Sequence, residues 1–172
     1  LSEFAYSIQQ TAEGGYIFAG QSESNIVGNL GGLDGYFVKL DSLGNIVWQK
    51  NYGGSLNDYI RRIFQTKDGG YLAVGESYST DFDAATNHGS RDFFVIKLDA
   101  NGVKEWSKCY GGSNNDYARW VIQATDDNFV IAGESYSDDG DATFNHGSAE
   151  YWLVKIGQTG NLIWQKSYGG SG

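Results

Sequence analysis

Proline and methionine are absent from this 172-residue chain, cysteine occurs once and histidine twice. Without proline, no chain reversal can lean on a ring-fixed φ, so the turns fall to Asn, Asp and the 25 glycines. Without methionine, Leu1 is no initiator, and the expectation is a processed chain or a piece of a longer one. A lone Cys109 excludes an intrachain disulfide and a cysteine metal cluster. His88 and His146 stand one to a repeat, too few to build a zinc site. Basic residues are also scarce: 12 Lys and Arg face 21 Asp and Glu, a net charge of −9. That balance argues against nucleic acid and anionic membrane surfaces as partners. No apolar run approaches the roughly 18 residues that a membrane-spanning helix needs.

What is present is a repeat. Tyr52-Gly53-Gly54-Ser55 returns as Tyr110-Gly111-Gly112-Ser113 and Tyr168-Gly169-Gly170-Ser171, a step of 58 residues each time, and Trp48, Trp106 and Trp164 keep the same step. The copies divide the chain at 1–55, 56–113 and 114–172. A period of this size marks a unit that buries its apolar face by stacking on its neighbours. In the second copy, short apolar-rich segments between turn signals predict strands over 59–66, 71–77, 92–98 and 103–110, the first and last pairs joined by Gly-containing hairpin turns and the middle pair by a long polar loop. The third of these, Asp92 to Leu98, is apolar on both faces, which predicts burial on both. With 15% aromatics, the composition is that of an all-β protein. Four antiparallel strands per copy, in tandem, predict a β-propeller of four-stranded blades. Propellers run from about 4 to 8 blades, so three imply an incomplete ring or one that self-assembles. The expected partners are therefore other blades of the same protein or another copy of the chain.

The strings Gln65-Thr66-Lys67-Asp68-Gly69-Gly70-Tyr71, Gly75-Glu76-Ser77-Tyr78-Ser79, Asn87-His88-Gly89 and Val95-Ile96-Lys97-Leu98-Asp99, then Trp106 to Gly112, carry a resemblance. They resemble a tandem repeat of large secreted and surface proteins of Bacteroidetes-type bacteria, many of them type IX secretion cargo. The resemblance covers all three copies and implies an extracellular or cell-surface location.

The long loop between the second and third strands is the first place to look for chemistry. Asp81, Asp83 and Asn87 in copy two recur as Asp139, Asp141 and Asn145 in copy three. Alternating carboxylates followed by an amide oxygen suit Ca²⁺, which takes six to eight oxygens in flexible geometry. The same residues also serve as Asx turns and backbone caps. Copy one is a control: its loop is three residues shorter and lacks both Asp positions, keeping Asn25 as a lone polar candidate and Asn29 as the match of Asn87. Asp58 and Asp116, with Glu3 as counterpart, follow the Gly-rich turns and are expected to accept their amide N–H groups. Arg61 and Arg119 recur on the first strand, replaced by Tyr6 in copy one, and are expected to pair with acidic neighbours or meet an anionic ligand.

No nucleophile elbow, phosphate loop or paired-carboxylate signature is visible. The functional expectation is a non-enzymatic extracellular propeller segment for adhesion, scaffolding or presentation of a ligand, a surface protein or glycan, with calcium stiffening its loops. The alternative is part of a secreted carbohydrate-binding or carbohydrate-active protein whose site is shared among blades.

Overall fold

Twelve strands fall into three sheets of four, each filled in chain order by antiparallel neighbours. Strands β1 (Glu3–Gln10), β2 (Tyr16–Ser22), β3 (Asp34–Leu40) and β4 (Ile46–Tyr52) make the first blade. The second holds β5 (Asp58–Gln65), β6 (Tyr71–Ser77), β7 (Asp92–Leu98) and β8 (Lys104–Tyr110). The third holds β9 (Asp116–Gln123), β10 (Phe129–Ser135), β11 (Glu150–Ile156) and β12 (Leu162–Tyr168). The computed structural model describes residues 1–25 and 27–170; Ser171, the last residue of the third Gly-rich motif, lies outside the described residues. The chain is an all-β propeller segment of three four-stranded antiparallel blades.

The expected bounds of β6 and β7 hold, while β5 begins one residue earlier than expected and β8 one residue later. A single turn of 3-10 helix, Phe82–Ala84, interrupts the long loop of blade 2, where the sequence pattern offered no periodicity to reveal it. Every residue of β7 is buried, as its two apolar faces require.

Two apolar clusters hold the blades together. One joins β2 and β3 of blade 1 to β5, β6 and β7 through Ile17, Phe37, Ile60, Ile63, Tyr71 and Phe94. The other joins blade 2 to blade 3 through Val95, Phe93, Trp152, Val121 and Phe129. Across that second boundary the Phe93 and Trp152 rings lie 4.6 Å apart.

The outer strands add a second fastening. Trp48 Nε1 donates to Ala100 O at 3.3 Å, and one repeat later Trp106 Nε1 donates to Gln158 O at 2.8 Å. Tyr52 and Tyr110 donate their hydroxyls to Gly102 O and Gly160 O at 2.7 and 2.6 Å. Gly102 and Gly160 sit at φ +76° and +73° beneath these indoles, where an added Cβ would come within 2.9 and 3.0 Å of the ring. Only glycine both takes that φ without strain and leaves room for the ring. Blades 1 and 2 thus each hook an aromatic pair over the turn between the third and fourth strands of the next blade.

The innermost strands carry a matched irregularity. In β1, β5 and β9 the pairing skips one residue, Tyr6, Arg61 and Arg119 respectively, a β-bulge repeated in each blade. Opposite it stand Gly20, Gly75 and Gly133, whose added Cβ would strike the carbonyls of Phe4, Tyr59 and Tyr117. A bulge of this kind re-aims a side chain out of the alternating pattern.

Core truncation tests the inter-blade core. Phe93→Ala should lower unfolding stability in urea by about 3–5 kcal/mol, the range for a buried aromatic. Val103→Ala, on a half-exposed turn residue, should change it by less than about 0.5 kcal/mol.

Candidate functional site

Each junction between blades is a Gly-Gly-Ser turn, and acidic side chains surround it. Asp58, fully buried, accepts Gly54 N–H at 2.6 Å and Ser79 Oγ–H at 2.9 Å, and also takes the Ser77 hydroxyl. Asp116 does the same for Gly112 N–H and Ser137 Oγ–H, both at 2.9 Å. Glu3 accepts from the equivalent serines, Ser22 and Ser24. The expected turn-gripping role of Asp58 and Asp116 is therefore observed. Burial raises the pKa of both above the ordinary carboxylate value.

A second buried acid opens the third strand of every blade. Asp34, Asp92 and Glu150 accept the amides of Leu30, His88 and His146 at 2.6, 2.8 and 2.8 Å. The imidazoles of His88 and His146 bond the same carboxylates through Nδ1, at 2.7 and 2.9 Å. The two histidines therefore serve buried acids, and not the loop backbone as a loop histidine ordinarily would. One oxygen each of Asp34, Asp92 and Glu150 has no partner among the described residues. Desolvation, opposed by these hydrogen bonds, pushes Asp34 and Asp92 up to about 6.

The Asp-rich loops grip the same turns from outside. Asp81 accepts Ser55 N–H at 2.8 Å, and Asp83 accepts Gly53 N–H at 3.1 Å while pairing with the Lys104 ammonium. In blade 3, Asp139 accepts Ser113 N–H at 2.7 Å, which lowers its pKa, and the backbone N–H of Asp141 donates to Gly111 O at 2.8 Å. Asn87 and Asn145 donate to Ser77 O and Ser135 O at 2.8 and 3.1 Å, and accept Gly89 and Gly147 N–H. Asn29 does the same work in the shorter loop of copy one. Among the described residues no group of three or more His, Cys, Asp or Glu is placed to hold a metal ion. The carboxylates of Asp81, Asp83 and Asp139 thus accept turn amides, that of Asp83 beside the Lys104 ammonium, whereas Asp141 reaches its turn only through its backbone N–H.

Cys109 is buried, with its thiol pKa raised well above the ordinary value by desolvation, consistent with the tolerant position its Asn51 and Ser167 counterparts suggest.

A different assembly emerges at the bulges. Arg61 pairs with Glu76 and Arg119 with Glu134, the pairing expected for them. Their guanidiniums also lie against rings, Arg61 at 4.9 Å from Tyr6 and 5.2 Å from Tyr59, and Arg119 at 5.0 Å from Tyr117. Arg91, at the head of blade 2's third strand, completes the row at 4.3 Å from Tyr78, 5.2 Å from Tyr117 and 5.8 Å from Tyr59. Tyrosine and guanidinium thus alternate across the three blades as Tyr6, Arg61, Tyr59, Arg91, Tyr117 and Arg119. Arg62 stacks on Trp120 at 4.0 Å, so all four arginines of the chain lie on aromatic rings.

Arg91 differs from Arg61 and Arg119, while Arg62 shares with it the lack of a carboxylate partner and a buried Nε without an acceptor among the described residues. Arg91 walls a recess of about 550 Å³ with Tyr59, Tyr78, Ser55, Leu56 and Asn57. Sequence reasoning passed over it because its column reads Leu33, Arg91, Ala149, and nothing recurs there. The usable signal was that very irregularity. No protein-family model and no curated protein matches the chain.

The buried acids give a pH test. Asp34 has a folded pKa of about 6 against an ordinary 3.8, so the folded state binds the proton more tightly. Its contribution is most favourable at low pH and is lost as pH rises through that interval. The stability of Asp34→Asn relative to the parent chain should therefore grow in the variant's favour between about pH 4 and pH 6, read from urea midpoints across pH. A constant offset would show that Asp34 does not titrate in this range.

Proposed function

We propose that the chain is a non-enzymatic segment of an extracellular β-propeller that presents a carbohydrate-binding recess, as an adhesion module does. One observation carries this reading: an arginine free of acidic partners is clamped between tyrosine rings at the wall of a recess, at a position where the repeat is broken. Tyrosine faces stack on the C–H faces of a sugar ring, and a preorganised guanidinium donates to hydroxyl or carboxylate oxygens in a fixed fork. Small-ligand sites take this form, apolar and aromatic walls with a few polar groups that set orientation. The resemblance of the repeats to those of Bacteroidetes surface proteins is what places the module outside the cell in this reading.

Glycoside hydrolysis calls for two carboxyl groups flanking the bond. Glu76 and Glu134, the acids next to the arginine row, are tied to Arg61 and Arg119. Binding is thereby favoured over cleavage. Calcium is not needed for it in this reading, since Asp81, Asp83 and Asp139 act on the turns, and added Ca²⁺ or a chelator should leave the melting temperature unchanged.

The test is binding to a panel of neutral and acidic oligosaccharides by calorimetry. The expected result is a hit that Arg91→Ala weakens at least about tenfold, the loss of one good charge-assisted contact. Arg91→Lys should not restore it, because an ammonium neither stacks nor forks. Binding that survives Arg91→Ala at full strength would remove the recess from the function.

A further inference from the structure

The recess beside Arg91 is lined for a ligand of one chemical character. Its walls come from residues between Gly32 and Arg91, within blades 1 and 2 and the turn that joins them. Among the described residues they include no Asp or Glu, in a chain that carries 21. Three of their acceptor oxygens are already engaged. Asn57 Oδ1 takes Leu33 N–H at 2.9 Å, Asn57 O takes Tyr78 N–H at 3.0 Å, and Leu56 O takes Gly32 N–H at 3.3 Å. The Asn57 amide nitrogen and the hydroxyls of Ser55, Tyr59 and Tyr78 have no partner among the described residues. An amide nitrogen only donates and a hydroxyl can donate, so what remains on the walls favours a ligand rich in acceptors.

Arg91 supplies the charge and the direction. Its Cζ lies 4.3 Å from the Tyr78 ring centre, with Tyr117 and Tyr59 at 5.2 and 5.8 Å. Rings against the guanidinium plane leave its edge as the approach for an acceptor. Nε is sealed off without one, which leaves the two terminal nitrogens to donate. Their parallel N–H bonds match the two coplanar oxygens of a carboxylate. A hydroxyl engages only one of them and leaves a partly desolvated charge uncompensated. The next junction shows the arrangement without the cation. Ala149 stands in the column of Arg91, and Tyr117 and Tyr136, the counterparts of Tyr59 and Tyr78, pack edge to face on each other at 6.2 Å.

We propose, building on the carbohydrate reading above, that the recess binds an acidic glycan: the carboxylate of a hexuronic acid seats on the terminal nitrogens of Arg91, and the sugar ring lies against Tyr59 or Tyr78. The Asn57 amide and the Ser55 hydroxyl donate to ring or hydroxyl oxygens of the same sugar. Arg61 and Arg119 are held by Glu76 and Glu134, so a single free cation of the row meets a single carboxylate. An acidic peptide side chain offers the same two oxygens but no flat C–H face for the tyrosines.

Calorimetry with matched pairs tests it: oligosaccharides ending in one of several hexuronic acids, and the same sugars as methyl esters, which keep the ring and remove the charge. On the unaltered chain a free acid should bind at least about tenfold tighter than its ester. In Arg91→Ala acid and ester should bind alike. Equal binding of acid and ester to the unaltered chain overturns the proposal; if Arg91→Ala then weakens both, the carbohydrate recess itself stands. Binding of none of the pairs removes the carbohydrate reading together with this one. A sulfated counterpart that binds as tightly as the acid would overturn the carboxylate as the recognised group. So would a Glu-rich peptide of equal affinity, which would assign the recess to a protein ligand.

Discussion

A carboxylate removed from water and held by a glycine-rich turn sets the geometry of this protein. Asp58 and Asp116 each take an amide from the turn that precedes their strand and a hydroxyl from a serine just past the end of the next strand. The turn where one blade ends is thereby tied to the two innermost strands of the following blade. Burying such an acid is unfavourable unless its hydrogen bonds are made, so the turn cannot relax without exposing a poorly satisfied group. The angle between blades follows, and with it the stacking of Phe93 on Trp152 and of Trp106 over the turn at Gly160.

The aromatic and arginine row depends on the same frame. Its members come from three different blades, and the bulge in each first strand is what turns Tyr6, Arg61 and Arg119 into line. Two of its arginines are neutralised by glutamates one strand away, which leaves Arg91 as the row's unpaired cation in a chain of net charge −9. A surface of that sign repels free anions at long range. For the ligand proposed at Arg91, stacking and directed hydrogen bonds would therefore contribute more than steering.

The repeat made the strands readable, because β6 and β7 are short runs bounded by turn residues on both sides, and both are buried along their whole length. The three-bladed architecture and the grip of Asp58 on its turn could be argued from spacing alone. The bulges could not, since a skipped residue is defined only by its partner strand. Comparing columns for shared chemistry also hid a contact. Arg62 and Trp120 occupy one column in adjacent copies, and stacked copies place such residues side by side, where cation and ring attract. Arg91 was hidden for the opposite reason, being the member of its column that resembles neither neighbour. In a repeat protein, likeness down a column reports on the fold, whereas unlikeness is where a site can be built.

The shorter loop of copy one has a mechanical meaning. Asp81, Asp83 and Asp139 brace the turns that enter blades 2 and 3, and blade 1 has no such residues to brace whatever precedes it. Any joint formed at that face is held by side-chain packing and a few hydrogen bonds, without the acidic brace. Of the three blade entrances, that one is the least tied down by loop carboxylates.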